Sequence, residues 1–295
     1  MKVILPTLYL LLLVNACSKS NKISLEDPTI LLTKVSNLPS ELIESSGLEM
    51  DKSGNFWSHN DRGNKAELYV FNKNGQLTRI VEVDGSTNND WEDLTEDAAG
   101  NLYIGDFGNN DNDRQNLAVY KISSENLRQN NNKILSEKIQ FTFEDQLAFP
   151  PDKTIQNFDV EAMFTKADFL YLLTKDRSKP FTGTTKLYRL PNTIGSHKAV
   201  LLGDFKTDDN KNKGQITAAD ISPDGSKLTM LANETIWIFS DFIGENFFSG
   251  KVKRIDLSLE LQLESIVFQD DCTLYLTNEK TDKEPANLYE IDSCL

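Results

Sequence analysis

The amino-acid sequence predicts an all-β chain that folds as a single β-propeller, with five four-stranded blades as the simplest count. One hairpin pattern recurs five times along the 295 residues, and no segment has the apolar spacing of a long amphipathic helix. Hydrophobic residues make up 39% of the chain, which is enough for an apolar core. A four-stranded unit repeated around an axis is typical of a propeller.

Each copy of the repeat begins with a short apolar strand, passes a polar turn and returns on a strand rich in aromatic and β-branched residues. This is the signature of a β-hairpin. A third strand with its own aromatic residue follows, and then a weaker fourth strand. The five hairpins cover residues 44–61, 90–106, 159–176, 217–234 and 262–279.

The spacing of the copies leaves six blades as the alternative count. The interval from Leu94 to Met163 is long for one blade of about 40–50 residues but short for two, and its excess is polar loop. The last copy reaches the C-terminus without a fourth strand. The segment from Thr29 to Val35 is the obvious donor of that strand. Such an N-terminal strand would close the ring and cover an exposed sheet edge.

The N-terminus predicts secretion and a lipid anchor. Met1 and Lys2 precede an apolar run from Val3 to Val14, which is too short to cross about 30 Å of hydrocarbon. The pattern is that of a secretory signal, and Cys17 after Asn15-Ala16 resembles the lipidation site of a bacterial lipoprotein. An ordinary signal peptide is the alternative. We therefore expect a signal peptide over 1–17, a polar tether over 18–27 and the propeller domain over 28–295.

This interpretation places the mature protein at the bacterial cell envelope, on the periplasmic or cell-surface side, with the anchor as its only membrane contact. Acyl chains hold a protein stably at a bilayer, and disulfides are permitted outside the cytoplasm. Cys272 lies in the turn of the last hairpin, and Cys294 follows the third strand of the same blade. Because that strand ends at the same face as the turn, the two thiols are predicted to form a disulfide.

The charge of the chain narrows the classes of function. Lys and Arg number 31 against 45 Asp and Glu, which gives a formal charge of −14. No basic stripe exists that would bind nucleic acid by releasing counterions. Two histidines and three cysteines leave little material for a zinc site. We expect a monomer whose function depends on Asp, Glu, Asn and a few basic side chains.

Carboxylates recur at the same places in several copies. In an antiparallel hairpin the start of the first strand and the end of the second lie together, and in a propeller the first strands line the channel. The acidic side chains should therefore converge on one channel mouth. Clustered carboxylates repel one another unless protons or cations relieve the charge. The predicted ligands of a divalent cation are Asp90, Glu92, Asp106, Asp159, Glu161, Glu264 and Glu279.

Calcium is the favoured cation, because an irregular rim of oxygen atoms suits its six to eight ligands better than the strict octahedron of magnesium. The alternative is that these carboxylates accept backbone N–H bonds in turns and are only structural. Basic residues follow the acidic ones, which indicates either local ion pairing or a site for a phosphate or carboxylate ligand. The candidate ligand-binding residues are Glu44, Asp61, Arg62, Arg114, Lys175, Asp176 and Lys280.

Other polar and aromatic residues support weaker hypotheses. His59 is a candidate general base or else a packed strand residue, and Trp91 is a candidate stacking surface at the mouth. The run from Asn109 to Arg114 lacks the Gly and closing Glu of an EF-hand loop, so an ordinary solvated loop is expected. Ser45 and Ser46 have no nucleophile elbow around them. The sequence therefore assigns no catalytic residue.

Four short motifs share the acidic pattern of the strand ends. They are Glu44-x-Ser46-Gly47, Asp90-Trp91-Glu92-Asp93, the Gly105–Asn110 segment and Asp159-x-Glu161-Ala162. These motifs resemble the repeats of bacterial secreted propellers, in particular the phytase-like esterase domains and the SdiA-regulated periplasmic propellers. The similarity covers most of the mature chain. It implies a propeller whose acidic mouth holds calcium or a phosphorylated ligand. The fourth copy departs from the pattern, because Thr217 and Ala219 replace the carboxylates.

The sequence is compatible with three functions. The favoured one is a lipid-anchored propeller that binds a small anionic ligand or a partner protein at a cation-loaded mouth. The alternative is a calcium-dependent phosphoesterase or esterase-like hydrolase, which needs a metal-activated water. The third is a purely structural envelope protein. Binding is favoured because the sequence provides cation ligands but no fixed catalytic set.

Overall fold

The computed structural model describes residues 23–25, 32–257 and 261–294. The predicted signal peptide over 1–17, with its lipidation site Cys17, lies outside the described residues. Within the predicted tether, residues 23–25 form a short strand instead of a purely polar linker. Among the described residues no helix is both long enough and apolar enough to cross a membrane.

The described residues are almost entirely strands joined by turns. Two short helices, α1 (Ser124–Arg128) and α2 (Lys211–Gly214), and two 3₁₀ turns, Lys153–Ile155 and Phe247–Ser249, lie in the connections. The strands in chain order are β1 Ile23–Leu25, β2 Thr33–Asn37, β3 Ser45–Met50, β4 Phe56–Asn60, β5 Glu67–Phe71, β6 Leu77–Asp84, β7 Trp91–Glu96, β8 Leu102–Asp106, β9 Ala118–Ile122, β10 Lys133–Leu135, β11 Glu137–Phe143, β12 Asp159–Lys166, β13 Phe169–Lys175, β14 Thr184–Pro191, β15 Gly195–Lys206, β16 Ile216–Ile221, β17 Lys227–Ala232, β18 Thr235–Ser240, β19 Lys251–Asp256, β20 Leu263–Phe268, β21 Thr273–Asn278 and β22 Asn287–Asp292.

Within the described residues these strands form five four-stranded antiparallel units. In spatial order they are β3-β4-β5-β6, β7-β8-β9-β11, β12-β13-β14-β15, β16-β17-β18-β19 and β20-β21-β22-β2. We call them the first to the fifth unit. The second and third units are joined into one eight-stranded sheet, because their outermost strands β11 and β15 pair in parallel. β10 and β1 add parallel outer strands to the first and fourth units.

The units are arranged around a channel. Their first strands contact one another in turn, from β3 to β7, β12, β16 and β20, and β20 contacts β3 again. The chain is therefore an all-β propeller, as predicted. The fifth unit is completed by the N-terminal strand β2, which pairs with β22. The described donor strand runs from Thr33 to Asn37, and Asn37 pairs with Asn287 at the start of β22. Residues 29–31 of the predicted donor lie outside the described residues.

The apolar core lies between neighbouring units. Between the second and third units, for example, Tyr103 and Val119 pack with Met163, Leu172 and Tyr188. Each such side chain contributes about 1.5–3 kcal/mol when it leaves water. The units are thus held side by side by interleaved side chains, and this fixes the positions of the strand ends at the mouth.

Trp57, Trp91 and Trp237 are all buried. The prediction that Trp91 forms a stacking surface at the mouth is wrong. Its side chain is fully buried, and its Nε1 donates to the carbonyl of Thr87 at 2.9 Å. The residue packs edge-on against His59.

Cys272 and Cys294 form a disulfide bond with a Cα–Cα distance of 5.0 Å. The bond connects the β20–β21 turn to the residues that follow β22. The backbone N–H of Ser293 also donates to the carbonyl of Cys272 at 2.6 Å. The C-terminus is thereby attached to the unit that closes the ring.

Candidate functional site

The first strand of every unit contains a β-bulge at the same position. The pairing register shifts between Ser46 and Leu48 in the first unit, and at the matching point in the other four. A bulge inserts one residue and turns its side chain away from the regular alternation. The inserted residues are Gly47, Glu92, Glu161, Thr217 and Glu264. Three of the predicted cation ligands are therefore bulge residues.

An acidic triad lies where the first and second units meet. It consists of Asp61, which follows β4, Asp90, which precedes β7, and Glu92, which is the bulge residue of β7. One carboxylate oxygen from each lies within 4.8 Å of the others. Asp90 and Glu92 are both only 6% exposed. The structure thus brings together two predicted cation ligands and one predicted ligand-binding residue.

The triad has little internal neutralisation. Oδ1 of Asp90 is buried and has no hydrogen-bond partner among the described residues. The cation paired with it is Arg62, whose Nε lies 3.9 Å away on a side chain that is 62% exposed. A buried carboxylate oxygen without a partner is unfavourable, so this atom marks a place where an external cation or proton is stabilising.

Burial sets the protonation of the triad. It raises the pKa of Asp90 to about 6, and the charge of Asp61 adds to the effect. Burial, reinforced by the charges of Glu161 and Asp61, raises the pKa of Glu92 well above its usual value. The pKa of Asp61 is also raised by burial. A divalent cation would take the place of these protons.

Gly108 covers one side of the triad. A Cβ atom at this position would lie 2.0 Å from Oε1 of Glu92 and 2.6 Å from Cγ of Asp90. The Gly108 N–H donates to the carbonyl of Asp90 at 3.1 Å. Its own carbonyl accepts from Nη1 of Arg114 at 2.5 Å. Only glycine leaves room for both carboxylates under this loop.

Asp106 and Arg114 lie beside the triad and are hydrogen-bonded to each other, and Asp106 also binds the backbone of Asp90. Oδ1 of Asp106 accepts from the Asp90 N–H at 3.1 Å and from Nη2 of Arg114 at 3.0 Å. Its Oδ2 accepts from Nδ2 of Asn89 at 2.6 Å. Asp106, a predicted cation ligand, and Arg114, a predicted ligand-binding residue, are therefore engaged with the backbone and side chains around Asp90.

The run from Asn109 to Arg114 is not the solvated loop that was expected. Asn109 and Asn112 are buried. Nδ2 of Asn109 donates to the carbonyl of Phe158 at 3.1 Å, and Oδ1 of Asn112 accepts from the Phe158 N–H at 2.8 Å. The expectation is wrong because the amide side chains supply hydrogen-bond partners for a backbone that lacks a strand neighbour.

In the third unit the carboxylates are paired with cations. Nε of Arg177 lies 2.5 Å from Oδ2 of Asp159, and its Nη2 lies 2.9 Å from Oε1 of Glu161. Lys175 Nζ lies 3.0 Å from the second oxygen of Glu161. Burial and the charge of Glu161 still raise the pKa of Asp159 to about 7, against the opposing charge of Arg177. Lys175 and Arg177, the basic residues on either side of Asp176, thus form local ion pairs, which was the alternative to an anionic ligand.

The fifth unit contributes two further carboxylates. Burial raises the pKa of Glu264 to about 7, although the charge of Lys175 opposes it. Burial and the charge of Asp61 raise the pKa of Glu279 to about 7. Since the charge of Asp61 also raises the pKa of Glu264, both groups share one electrostatic environment with the triad.

Other predicted residues lie at the rim or outside the site. Glu44 is exposed and accepts from Nδ2 of Asn64 at 2.7 Å, and Lys280 is exposed. The carboxylate of Asp176 accepts the backbone N–H groups of Ser178 and Thr182 at 2.8 and 2.7 Å, so it stabilises a turn. Burial raises the pKa of Asp176, but its hydrogen bonds, led by the one from the Thr182 hydroxyl, outweigh burial and lower the pKa.

His59 is fully buried, and its Nε2 has no hydrogen-bond partner among the described residues. Burial lowers its pKa to about 4. The ring is therefore neutral near pH 7 and packed against Trp91 with a centroid distance of 5.5 Å. This environment fits a packed strand residue, which was the alternative to a general base.

Comparisons with known proteins support the fold. No protein-family model matches the chain, and no curated protein does. The chain is similar to the PQQ-bound aldose sugar dehydrogenase of Streptomyces coelicolor, with a TM-score of 0.50 and 10% identity over 90% of this chain and 99% of that one. It is also similar to a gluconolactonase of Xanthomonas campestris, with a TM-score of 0.46 and 11% identity over 84% and 71% of the two chains. A streptogramin B lyase gives a TM-score of 0.44 and 11% identity over 88% and 87%. At 10% identity the likeness to the dehydrogenase extends to the propeller fold alone, and a shared fold does not determine function.

Proposed function

We propose that this protein is a lipid-anchored extracytoplasmic propeller that binds calcium at Asp61, Asp90 and Glu92 and, through the ion, a small anionic ligand. The observation that carries the proposal is the triad itself. Three carboxylate oxygens lie within 4.8 Å of one another, and the buried Oδ1 of Asp90 has no hydrogen-bond partner among the described residues. This arrangement disfavours three negative charges but favours a bound cation.

The chemistry of the donor set favours calcium. All three ligands are carboxylates, which are hard oxygen donors, and they come from two different units. Calcium accepts six to eight oxygens in irregular geometry, whereas magnesium requires an octahedron with shorter bonds. Three protein carboxylates leave several coordination positions for water or for oxygens of a ligand.

Arg62 supports an anionic ligand. Its guanidinium lies beside Asp90, and most of its side chain is exposed. A carboxylate or phosphate group bound to the ion would accept charge-assisted hydrogen bonds from this guanidinium. Arg177 and Lys175 contribute less, because they are paired with Asp159 and Glu161. A partner protein that offers a carboxylate would use the same contacts.

Calorimetric titration with calcium chloride tests the cation site. We expect one site in the wild type, loss of binding in Asp90→Asn and unchanged binding in Asp176→Asn. The control removes a carboxylate that belongs to a turn of the third unit. If calcium, magnesium and manganese all give no binding to the wild type, the triad is a structural cluster and the proposal fails.

The lipid anchor is supported by the Val14-Asn15-Ala16-Cys17 motif after a short apolar run. Mass spectrometry of the mature N-terminus should detect acylated Cys17, and Cys17→Ser should shift the protein from the membrane to the soluble fraction. A mature chain that begins elsewhere would remove the anchor and leave the cation site untouched.

The second candidate function is a calcium-dependent phosphoesterase or esterase-like hydrolase. One observation favours it: Glu264 and Glu279 have pKa values raised to about 7 by burial, in the electrostatic field of Asp61. Carboxyl groups that keep a proton near neutral pH can protonate a leaving group beside an ion-bound water. Turnover of nitrophenyl phosphate and nitrophenyl acetate with calcium, reduced by Glu279→Gln, would support this function. Absence of turnover in a calcium-loaded protein would leave binding as the function.

A further inference from the structure

The chain enters the propeller on the face opposite the acidic mouth. β1 pairs in parallel with β19, and Ile23 lies opposite Val252. β19 begins at Lys251, directly after the hairpin connection from β18, and runs toward the mouth. Ile23 is therefore at the end of β1 that lies far from the mouth. We call the face that contains the hairpin turns, including residues 51–55 and 241–250, the turn face.

The distance to the predicted anchor is short. Cys17 precedes Ile23 by six residues, and an extended chain spans at most about 3.3–3.6 Å per residue, or about 20 Å in all. The six residues of β19 rise by about the same distance from the turn face toward the mouth. A lipid on Cys17 would therefore hold the turn end of the fourth unit nearer to the bilayer than the mouth.

The same face carries exposed isoleucines at two neighbouring hairpin connections. Ile243 is 84% exposed in the β18–β19 connection, and Ile194 is 47% exposed in the β14–β15 turn. Aromatic packing holds the β18–β19 connection in place. The ring centroids of Phe242 and Phe247 lie 5.0 Å apart, and those of Phe248 and Phe239 lie 5.2 Å apart. The corresponding turn of the first unit, residues 72–76, is polar.

We infer that the bilayer contacts the turn face of the third and fourth units, with Ile194 and Ile243 nearest the lipid, so that the acidic mouth opens away from the membrane. This inference rests on the lipid anchor of the proposed function but not on its cation. Two exposed isoleucines are a weak attachment alone, but they can orient a protein that an acyl anchor already holds.

The test uses the full lipidated chain in vesicles of phosphatidylcholine and phosphatidylglycerol. One label site is Ile243→Cys on the turn face. Its matched control is Leu147→Cys, which is 91% exposed in the connection between β11 and β12 on the mouth side. A fluorophore on each cysteine is quenched with spin-labelled lipid. We expect at least threefold stronger quenching at position 243, and equal or stronger quenching at position 147 would overturn the orientation.

A second measurement separates the roles of the tether and the isoleucines. In the Leu147→Cys chain, Ile194→Ser with Ile243→Ser should leave the protein on the vesicles but raise quenching at position 147 at least twofold. Unchanged quenching would overturn the role of the isoleucines. An unmodified Cys17 would overturn the anchor and the orientation together. The result of the calcium titration does not depend on the anchor.

Discussion

Asp90-x-Glu92 and Asp159-x-Glu161 occupy the same place in two neighbouring units, yet their surroundings differ. In the third unit Arg177 binds both carboxylates, and Lys175 binds Glu161. In the second unit the residues that follow β8 are Phe107 and Gly108, which bring no cation. One repeated motif is thus neutralised by the chain itself, and the other remains available to an ion from solution. The end of the second strand decides between the two states.

The largest expected effect comes from breaking the neutralised pair. Arg177→Met should lower the free energy of unfolding by about 3 kcal/mol, because it leaves Asp159 buried without its counter-charge and leaves Glu161 with Lys175 alone. Arg62→Met should change it by less than about 1 kcal/mol in the absence of calcium, because the Arg62 side chain is mostly exposed. Urea denaturation measures both. Equal losses of unfolding free energy in the two variants would show that the two motifs depend on their cations to the same extent.

The next largest expected effect is the increment in stability that calcium binding gives. A ligand that binds only the folded state adds about 2.7 kcal/mol at a hundredfold excess over its Kd. Calcium should therefore raise the melting temperature of the wild type by several degrees, and EDTA should reverse the shift. Glu92→Gln should abolish the increment, whereas Glu161→Gln, at the same bulge position of the third unit, should retain it. Loss of the increment in both variants would mean that the ion site extends across the two motifs.

Gly108→Ala tests whether Gly108 covers the triad. Its Cβ would collide with Glu92 and Asp90, so calcium affinity should fall about tenfold and stability by about 1–3 kcal/mol. The matched control is Gly203→Ala in β15, where an added Cβ meets no atom within 4 Å. Calorimetry and urea denaturation report the two quantities. Unchanged calcium affinity in Gly108→Ala would show that Gly108 is not part of the ion site.

The smallest effect is the pH dependence. The folded-state pKa of Asp90 is raised to about 6, so the metal-free folded state binds more protons than the unfolded chain between about pH 4 and 6. Its stability should therefore be greatest below pH 4 for this group and should decline as the pH rises to 6. Calcium competes with the proton of Asp90, so its affinity should rise about fivefold from pH 5 to pH 6 and about tenfold from pH 5 to pH 7.5. Titrations at pH 5, 6 and 7.5 check this, and an affinity that does not change would place the ion elsewhere.

Local patterns in the sequence were sufficient for the architecture. Five copies of one hairpin, with a missing last strand, predict a propeller closed by an N-terminal strand. Hairpin ends place the repeated carboxylates at one mouth, as the position of Asp61 beside Asp90 shows. The spacing of Cys272 and Cys294 around one strand was equally local. These features depend on residues that are close in the chain or on a repeat that is visible in it.

Tertiary structure alone decided what each carboxylate does. The bulges that turn Glu92 and Glu161 are single-residue shifts in pairing, which alternation of apolar and polar residues does not reveal. Whether Trp91 is buried and whether Gly108 covers Asp90 depend on how separate units pack. Contacts between distant segments are set by the closure of the ring, and no local periodicity encodes them. The triad and the ion-paired carboxylates of the third unit therefore share one motif in the sequence and differ in the partners that the folded chain brings to them.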